Sequence, residues 1–214
     1  KECWKCAFQY TPTFSIEPIK LNELIEAIGE EKVKSILSSF VCPLNKDVED
    51  FLRNKAIVFS ARNFAKTNLV FWETDDKKAM ELVGYYAIAS KVICIDRGSV
   101  SSREARKLRE HGIFNEKTNQ YMVSAPLIGQ LGKNFANGND CLISGTDLLQ
   151  MAIEKAYLIQ NEVGGKFVYL ECEEEEKLIR FYEKNKFKVF GRRKLDGDET
   201  NIKGKCLVQL FCML

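Results

Sequence analysis

The sequence predicts an α/β (α+β) chain built on one central sheet, and three observations predict it. Segments rich in Val, Ile, Phe and Tyr alternate with segments whose apolar residues recur at three- and four-residue spacing. Strand-like runs at 68–73 and 81–95 flank a charged turn, Thr74-Asp-Asp-Lys-Lys78, so an antiparallel hairpin is natural there. The chain has 214 residues, 45% hydrophobic and 29% charged, which suits one good core with an ordinary globular surface. Strands and helices in alternation, with one hairpin among them, give a mixed sandwich around a single sheet.

The elements follow in order. Residues 1–20 read as irregular, with a strand at 14–19. Apolar spacing predicts helices over 21–28 and 32–40, separated by Gly29, and a longer one over 47–64 carrying Val48, Phe51, Leu52, Ala56, Phe59 and Ala61. The two hairpin strands come next. A connector over 96–120 holds a short polar helix at 101–111, and 121–133 returns to strand. The segment 147–163 is a strong amphipathic helix with Leu148, Leu149, Ala152, Ile153, Ala156, Ile159 and Val163 on one side, ended by Gly164-Gly165. Strands at 167–172, 188–192 and 205–213 and a helix at 174–185 complete the chain. The acidic run Glu173-Glu-Glu-Glu176 opens that helix, where carboxylates complement the helix dipole.

Composition narrows the function classes. No apolar run approaches the roughly 20 residues that span a bilayer, so no membrane role is expected, and no signal-peptide pattern is visible. The formal net charge of +2 lacks the strong basic excess of a protein built chiefly to hold nucleic acid. Arg103, Arg106, Lys107 and Arg109 cluster against Glu104, which reads as the solvated face of a short helix, with a phosphate-binding patch as the sharper alternative. Of the eight cysteines, Cys94, Cys172, Cys206 and Cys212 sit in apolar strand-like runs, as reduced thiols of a cytoplasmic protein would. Cys3-Trp-Lys-Cys6 has zinc or redox spacing. With no second pair and His111 as the lone histidine, no metal is expected.

The chemistry-bearing segment runs from Pro126 to Phe190. Pro126-Leu-Ile-Gly-Gln-Leu-Gly-Lys-Asn134 ends a strand. Asp140-Cys-Leu-Ile-Ser-Gly-Thr146 opens the strong helix. The first turn of a helix has free N–H groups and a partial positive charge that receive an anion. Ser144 with Asp147 looks like a capping box. Any N-capped helix would show the same pattern. Phe181-Tyr-Glu-Lys-Asn-Lys-Phe187 places a tyrosine on the last helix, where a core aromatic and a phenolic acid both fit.

In this order the segments resemble the GNAT family of acetyl-CoA-dependent N-acetyltransferases. The N-terminal half, at 39–52, 67–72 and 82–89, is similar to the branch that includes toxin acetyltransferases acting on aminoacyl-tRNA. The resemblance implies a three-layer fold with a mixed, mostly antiparallel central sheet flanked by helices. It implies a single domain over 1–214, extended at 1–38 and with an inserted connector at 96–120. It also implies acetyl-CoA as co-substrate and transfer to a primary amine by direct attack on the thioester. Leu131, Gly132 and Lys133 would pair with the pantetheine arm, with glycine easing its passage. Cys141, Leu142, Ile143, Ser144, Gly145 and Thr146 would form the pyrophosphate turn, with Cys172 beside the groove and Tyr182 as acid to the leaving sulfur. The turn keeps one of three family positions, Gly145, with Asp140 and Ile143 at the others. Lys186 stands where the family has glycine. Tyr85 and Tyr86 are the expected walls of the acceptor pocket. Glu73, Glu81 and Glu171 are acids at strand ends, none assigned as a base. The partners implied are acetyl-CoA and an unknown amine acceptor. Nucleic acid enters only if the acceptor is aminoacyl-tRNA. A homodimer and a non-catalytic CoA-binding interaction or sensor module are the open alternatives.

Overall fold

Alternation of apolar side chains along the strands and apolar stripes on the helices leave one sheet with a helical layer on each face. The computed structural model describes residues 18–73, 80–197 and 204–214. The pair Cys3 and Cys6, most of the expected strand at 14–19 and the turn at 74–78 lie outside these. Helices α1 (Leu21–Ile28) and α2 (Glu30–Ser38) follow the two-residue strand β1 (Ile19–Lys20). The expected long helix is three pieces: α3 (Lys46–Asp50), one wide π turn over Phe51–Lys55, and α4 (Ala56–Ala61). Strands β2 (Lys66–Glu73) and β3 (Met80–Asp96) form the hairpin. The connector carries α5 (Ser102–His111) and a short strand β4 (Ile113–Asn115), which was not evident from sequence, before β5 (Gln120–Lys133). Helix α6 (Gly145–Val163), β6 (Phe167–Glu173), α7 (Glu176–Lys184), β7 (Lys188–Lys194) and β8 (Cys206–Met213) complete the order.

The sheet runs β1-β2-β3-β5-β6-β8-β7, with β4 on β5. Every pairing is antiparallel except β5 with β6. Even-numbered β3 residues Tyr86 and Ile88 join Leu148, Leu149, Ala152, Val168, Leu170, Cys172 and Tyr182 in a core under α6 and α7. Odd-numbered Tyr85 and Ala87 pack on the opposite face with Phe40, Val48, Phe51 and Leu52 of the α1–α4 layer. Further along that same face Ile93, Ile95, Tyr121, Val123, Phe167 and Tyr169 pack under α5 with Ala105 and Leu108. The α6 stripe ends one turn short of the expected Val163, which is 76% exposed. Gln160 takes over instead, its Oε1 accepting from Phe167 N at 2.9 Å and fixing where β6 begins.

Candidate acyl-transfer site between two diverging strands

Strands β5 and β6 are joined by only two register pairs, Leu127 with Tyr169 and Ile128 with Leu170. Beyond Ile128, β5 continues to Lys133 while paired on its other edge to β3. The edge facing β6 is therefore left without a strand partner over Gly129–Lys133, and main-chain polar groups there need a partner. At the same point β5 carries a bulge. Ala87 pairs with Gln130 and Ile88 with Ile128, so Gly129 is the extra residue. A bulge bends the strand and leaves its extra residue out of the ladder, and it lies where the two strands part.

The structure places the expected residues as follows. Leu131, Gly132 and Lys133 lie on this unpartnered stretch, opposite Tyr86, Tyr85 and Gly84. Gly132 does not serve cofactor passage with its missing side chain. A Cβ there would stand 2.4 Å from Val48 Cγ1, so the glycine exists to let α3 approach the sheet. Lys133 Nζ donates to Asp140 O at 2.7 Å and closes the loop between β5 and α6. Asn134, 2% exposed, anchors the same loop: its amide donates to Leu82 O at 2.8 Å and its carbonyl accepts from Val41 N at 2.9 Å and Ala136 N at 3.1 Å. Two short 3-10 turns within Ala136–Cys141, separated by a kink at Asn137 and Gly138 with φ 54 and 79, then turn the chain. That turn was not legible as a regular element.

Ser144 is the N-cap of α6. Its hydroxyl accepts from Asp147 N at 3.1 Å and donates to the Asp147 carboxylate at 2.6 Å. The helix starts at Gly145, two residues earlier than expected, and the N–H groups of Gly145 and Thr146 remain for an anion. Cys141 and Thr146 are exposed and Leu142 is half-buried, while Ile143 is 5% exposed and serves as an anchor in the core. Gly145 lies against α7: a Cβ on it would be 3.6 Å from the Phe181 ring.

Tyr182 and Cys172 close the same end. Tyr182 is 8% exposed and lies between Phe181 and Phe187, ring centroids 5.1 and 6.0 Å away. Its hydroxyl makes no hydrogen bond among the described residues. Nor is it sealed, since among those residues Thr67 Oγ1 is the one enclosed side-chain atom without a partner. Burial, and secondarily Cys172, push its pKa well above the phenol value, so it stays protonated, as a proton donor must. Burial likewise pushes the Cys172 thiol up to about 12, which makes it a neutral side chain of the groove wall and a poor nucleophile.

Tyr85 and Tyr86 do not wall an acceptor pocket. They are 0% and 1% exposed on opposite faces of β3, and neither presents a ring face to solvent. Tyr85 donates to Val48 O at 2.6 Å and stacks on Phe51, which are core duties. The polar groups on the α3–α5 face of the gap are instead Gln130, Asp47 and Glu171. Sequence reading passed over Gln130 and Asp47, because only the fold brings α3 against β5 and joins them. No group of three or more His, Cys, Asp or Glu placed to hold a metal occurs among the described residues. No helix among them is long and apolar enough to cross a membrane.

Solved structures share this architecture. A bacterial toxin matches with a TM-score of 0.58 at 15% identity, over 94% of this chain and 91% of that one. A tyrosine-to-phenylalanine mutant of the AtaT toxin, bound to the C-terminus of the antitoxin AtaR and to acetyl-CoA, matches at 0.50 and 16%, over 83% and 84%. AtaT complexed with acetyl-methionyl-tRNAfMet matches at 0.51 and 17%, over 80% and 85%. At such identity the likeness establishes the fold, and the chain has the GNAT architecture its sequence resembles. No protein-family profile and no curated protein matches the sequence.

Proposed function

We propose that the protein is an acetyl-CoA-dependent N-acetyltransferase that moves an acetyl group to a primary amine by direct attack on the thioester. The observation that carries this reading is the gap itself. Two neighbouring strands part at a bulge, leaving free main-chain groups on one lip, with a capped helix N-terminus and a protonated tyrosine at the same end. Bound acetyl-CoA would supply the activated acetyl group. The chain's own groups fit it: the β5 edge from Gly129 to Lys133 offers the hydrogen-bond pattern an extended amide arm completes, as an added strand would. The Gly145 and Thr146 N–H groups face an anion without help from a basic side chain. An N–H on the bulged stretch would polarise the acetyl carbonyl, where a preformed donor counts most. Tyr182 would deliver its proton to the departing sulfur, while the amine nitrogen, bonded to the acetyl carbon as the C–S bond breaks, would release a proton to water, and Tyr182 would be reprotonated from solvent. The resemblance to a toxin bound to acetyl-CoA supports the same reading.

A second reading makes the acceptor an aminoacyl-tRNA. It is favoured by the fold shared with AtaT in complex with acetyl-methionyl-tRNAfMet and by the exposed Arg103, Arg106 and Arg109 on α5. The formal net charge of +2 weighs against it. The test is mass detection of acetylated product when the purified protein is given acetyl-CoA with a panel of simple amines and, separately, charged tRNA. Product from the amines supports the first reading. Product from charged tRNA alone supports the second, and binding of acetyl-CoA without any product would leave a non-catalytic module.

A further inference from the structure

A cavity of about 240 Å³ lies away from the gap, under the C-terminal half of α6. Its floor crosses the sheet from β2 to β5 on the α6 face. Asn68 stands opposite Tyr86, Ile88 opposite Lys66, and Ser90 opposite Pro126. With neighbouring strands about 4.8 Å apart, this floor spans about 10 Å. Lys155, Ile159 and Gln160 of α6 form the roof. Lys155 stands about 15 Å along α6 from Gly145 by the rise of an α-helix, so the cavity is separate from the proposed anion turn. Two enclosed amides line it, each with one polar atom to spare. Asn68 is 2% exposed; its Nδ2 donates to Lys66 O at 3.3 Å, and its Oδ1 accepts from nothing among the described residues. Gln160 is 5% exposed; its Oε1 is taken by Phe167 N, and its Nε2 donates to nothing among the described residues. Neither spare atom is sealed from solvent, so each opens on the cavity. A sheet face under a helix ordinarily carries apolar side chains, and an amide placed there is costly unless both its ends are bonded.

The two ends of the cavity differ. At the β2 end, Lys66 Nζ gives one of its three protons to Ser60 O at 3.2 Å. Half-buried Lys155 reaches the same end, since Glu23 of α1, beside β1, feels its charge. That carboxylate is bonded to Lys20, and Lys155 makes no ion pair among the described residues. At the other end stands the spare Gln160 Nε2, near the start of β6. Ile88, Pro126 and Ile159 lie between, and Phe64 and Val163, 59% and 76% exposed, form an apolar rim. We propose that this cavity is a second ligand site, for a small elongated acid that carries an amide: a short peptide acid with an apolar side chain. Its carboxylate meets Lys155 and Lys66, and an N–H beside that group meets Asn68 Oδ1. Its side chain lies on Ile88, Pro126 and Ile159, and a carbonyl at the far end accepts from Gln160 Nε2. Three extended residues cover about 10 Å, the span of the floor. A fatty acid would leave both amides unbonded, and a nucleotide would lay its ribose on the apolar floor. The site stands whether or not the gap between β5 and β6 transfers acetyl groups.

The test is calorimetric binding of N-acetyl-leucylglycine, as the free acid and as its C-terminal amide, to the full chain. The acid is expected to bind with a millimolar or lower Kd and the amide about tenfold more weakly, the scale of one well-placed charge. Lys155→Met should weaken the acid by about tenfold and leave the amide unchanged. Asn68→Leu, close in shape, should weaken both by about tenfold while the melting temperature holds or rises. Saturating acetyl-CoA should leave the affinity for the acid within about twofold. No binding of the acid at about 10 mM overturns the site, and so does equal binding of acid and amide. Displacement by acetyl-CoA places the probe in the gap and overturns it as well. A lower melting temperature in Asn68→Leu with unchanged binding makes Asn68 a structural residue and overturns its role. Tighter binding of uridine monophosphate than of the acid, lost in Lys155→Met, overturns the ligand class. If Asn68→Leu does not fold, Lys155→Met and the ratio of acid to amide decide the matter.

Discussion

Lys186 is the residue where sequence and geometry meet most clearly. It stands where the family has glycine, and its φ is 69, in the left-handed region that suits glycine. Helix α7 ends in a Schellman motif: Lys186 N donates to Glu183 O at 3.0 Å and Phe187 N to Tyr182 O at 3.1 Å, with the Tyr182 and Phe187 rings in contact. The chain keeps the turn and tolerates the strain. Lys186→Gly is therefore expected to raise stability by about 1 kcal/mol in denaturant unfolding; a loss of that size would refute the strain. Tyr182→Phe removes only the hydroxyl. It is expected to lower kcat by about 100-fold or more while acetyl-CoA affinity holds within about threefold. Unchanged turnover would take Tyr182 out of the acid role. Cys172, its thiol pushed up to about 12, should resist a thiol reagent at pH 8 while exposed Cys94 and Cys141 react. Mass mapping of labelled peptides reads this out, and labelling of Cys172 should grow only as the pH rises towards its raised value. At this scale the Ser144 cap was legible from local context, whereas the acid role proposed for Tyr182 came from the family resemblance. The sequence could not reveal that Tyr85 and Tyr86 are enclosed, because a strand's burial depends on what later segments lay over both faces.

The strands set the site more than any motif does. Strand β3 extends over 17 residues and β5 over 14, and their long antiparallel pairing carries β5 beyond its last rung with β6. The bulge at Gly129 was hidden in sequence because Gly129 and Gly132 look alike, and only the pairing with β3 separates their duties. Gly129 is extra in the ladder, whereas Gly132 clears space for Val48. Gly132→Ala would press a methyl group into Val48 and push α3 off the sheet. Its expected cost is about 1–3 kcal/mol, measured by chemical denaturation. The helix at 47–64 was legible as a helix. Its π turn at Phe51–Lys55 was not, because the wide turn follows from packing Phe51 against Tyr85 and Phe59 together. Helix α6 was the easiest element to read, since its apolar stripe and the paired glycines behind it leave no other assignment.

For the whole molecule, two pH limits follow, the acid one from an ion-paired carboxylate and the alkaline one from burial. Glu49 is 5% exposed, and its carboxyl is held below the ordinary value first by Lys46 and then by the Cys42 N–H. A lowered carboxyl stabilises the fold above its unfolded value, and that contribution is lost as the pH falls through the folded value. The buried Cys172 and Tyr182 act at the other end. Their raised values stabilise the fold below their unfolded values, and this is lost as the pH rises through the folded ones. Melting temperature should thus be flat around neutrality and fall at both ends. The order of elements was legible because each local pattern agrees with the global fold. The polar face of the gap was not, since it is assembled from α3, β5, β6, β7 and β8, segments far apart in sequence. The central claim is that the gap between β5 and β6 holds acetyl-CoA, and thermal unfolding with added acetyl-CoA tests it most directly. At about 100 times the dissociation constant, binding should add about 2.7 kcal/mol. For a domain of this size that raises the melting temperature by about 5–10 °C. No shift at millimolar acetyl-CoA would contradict the account.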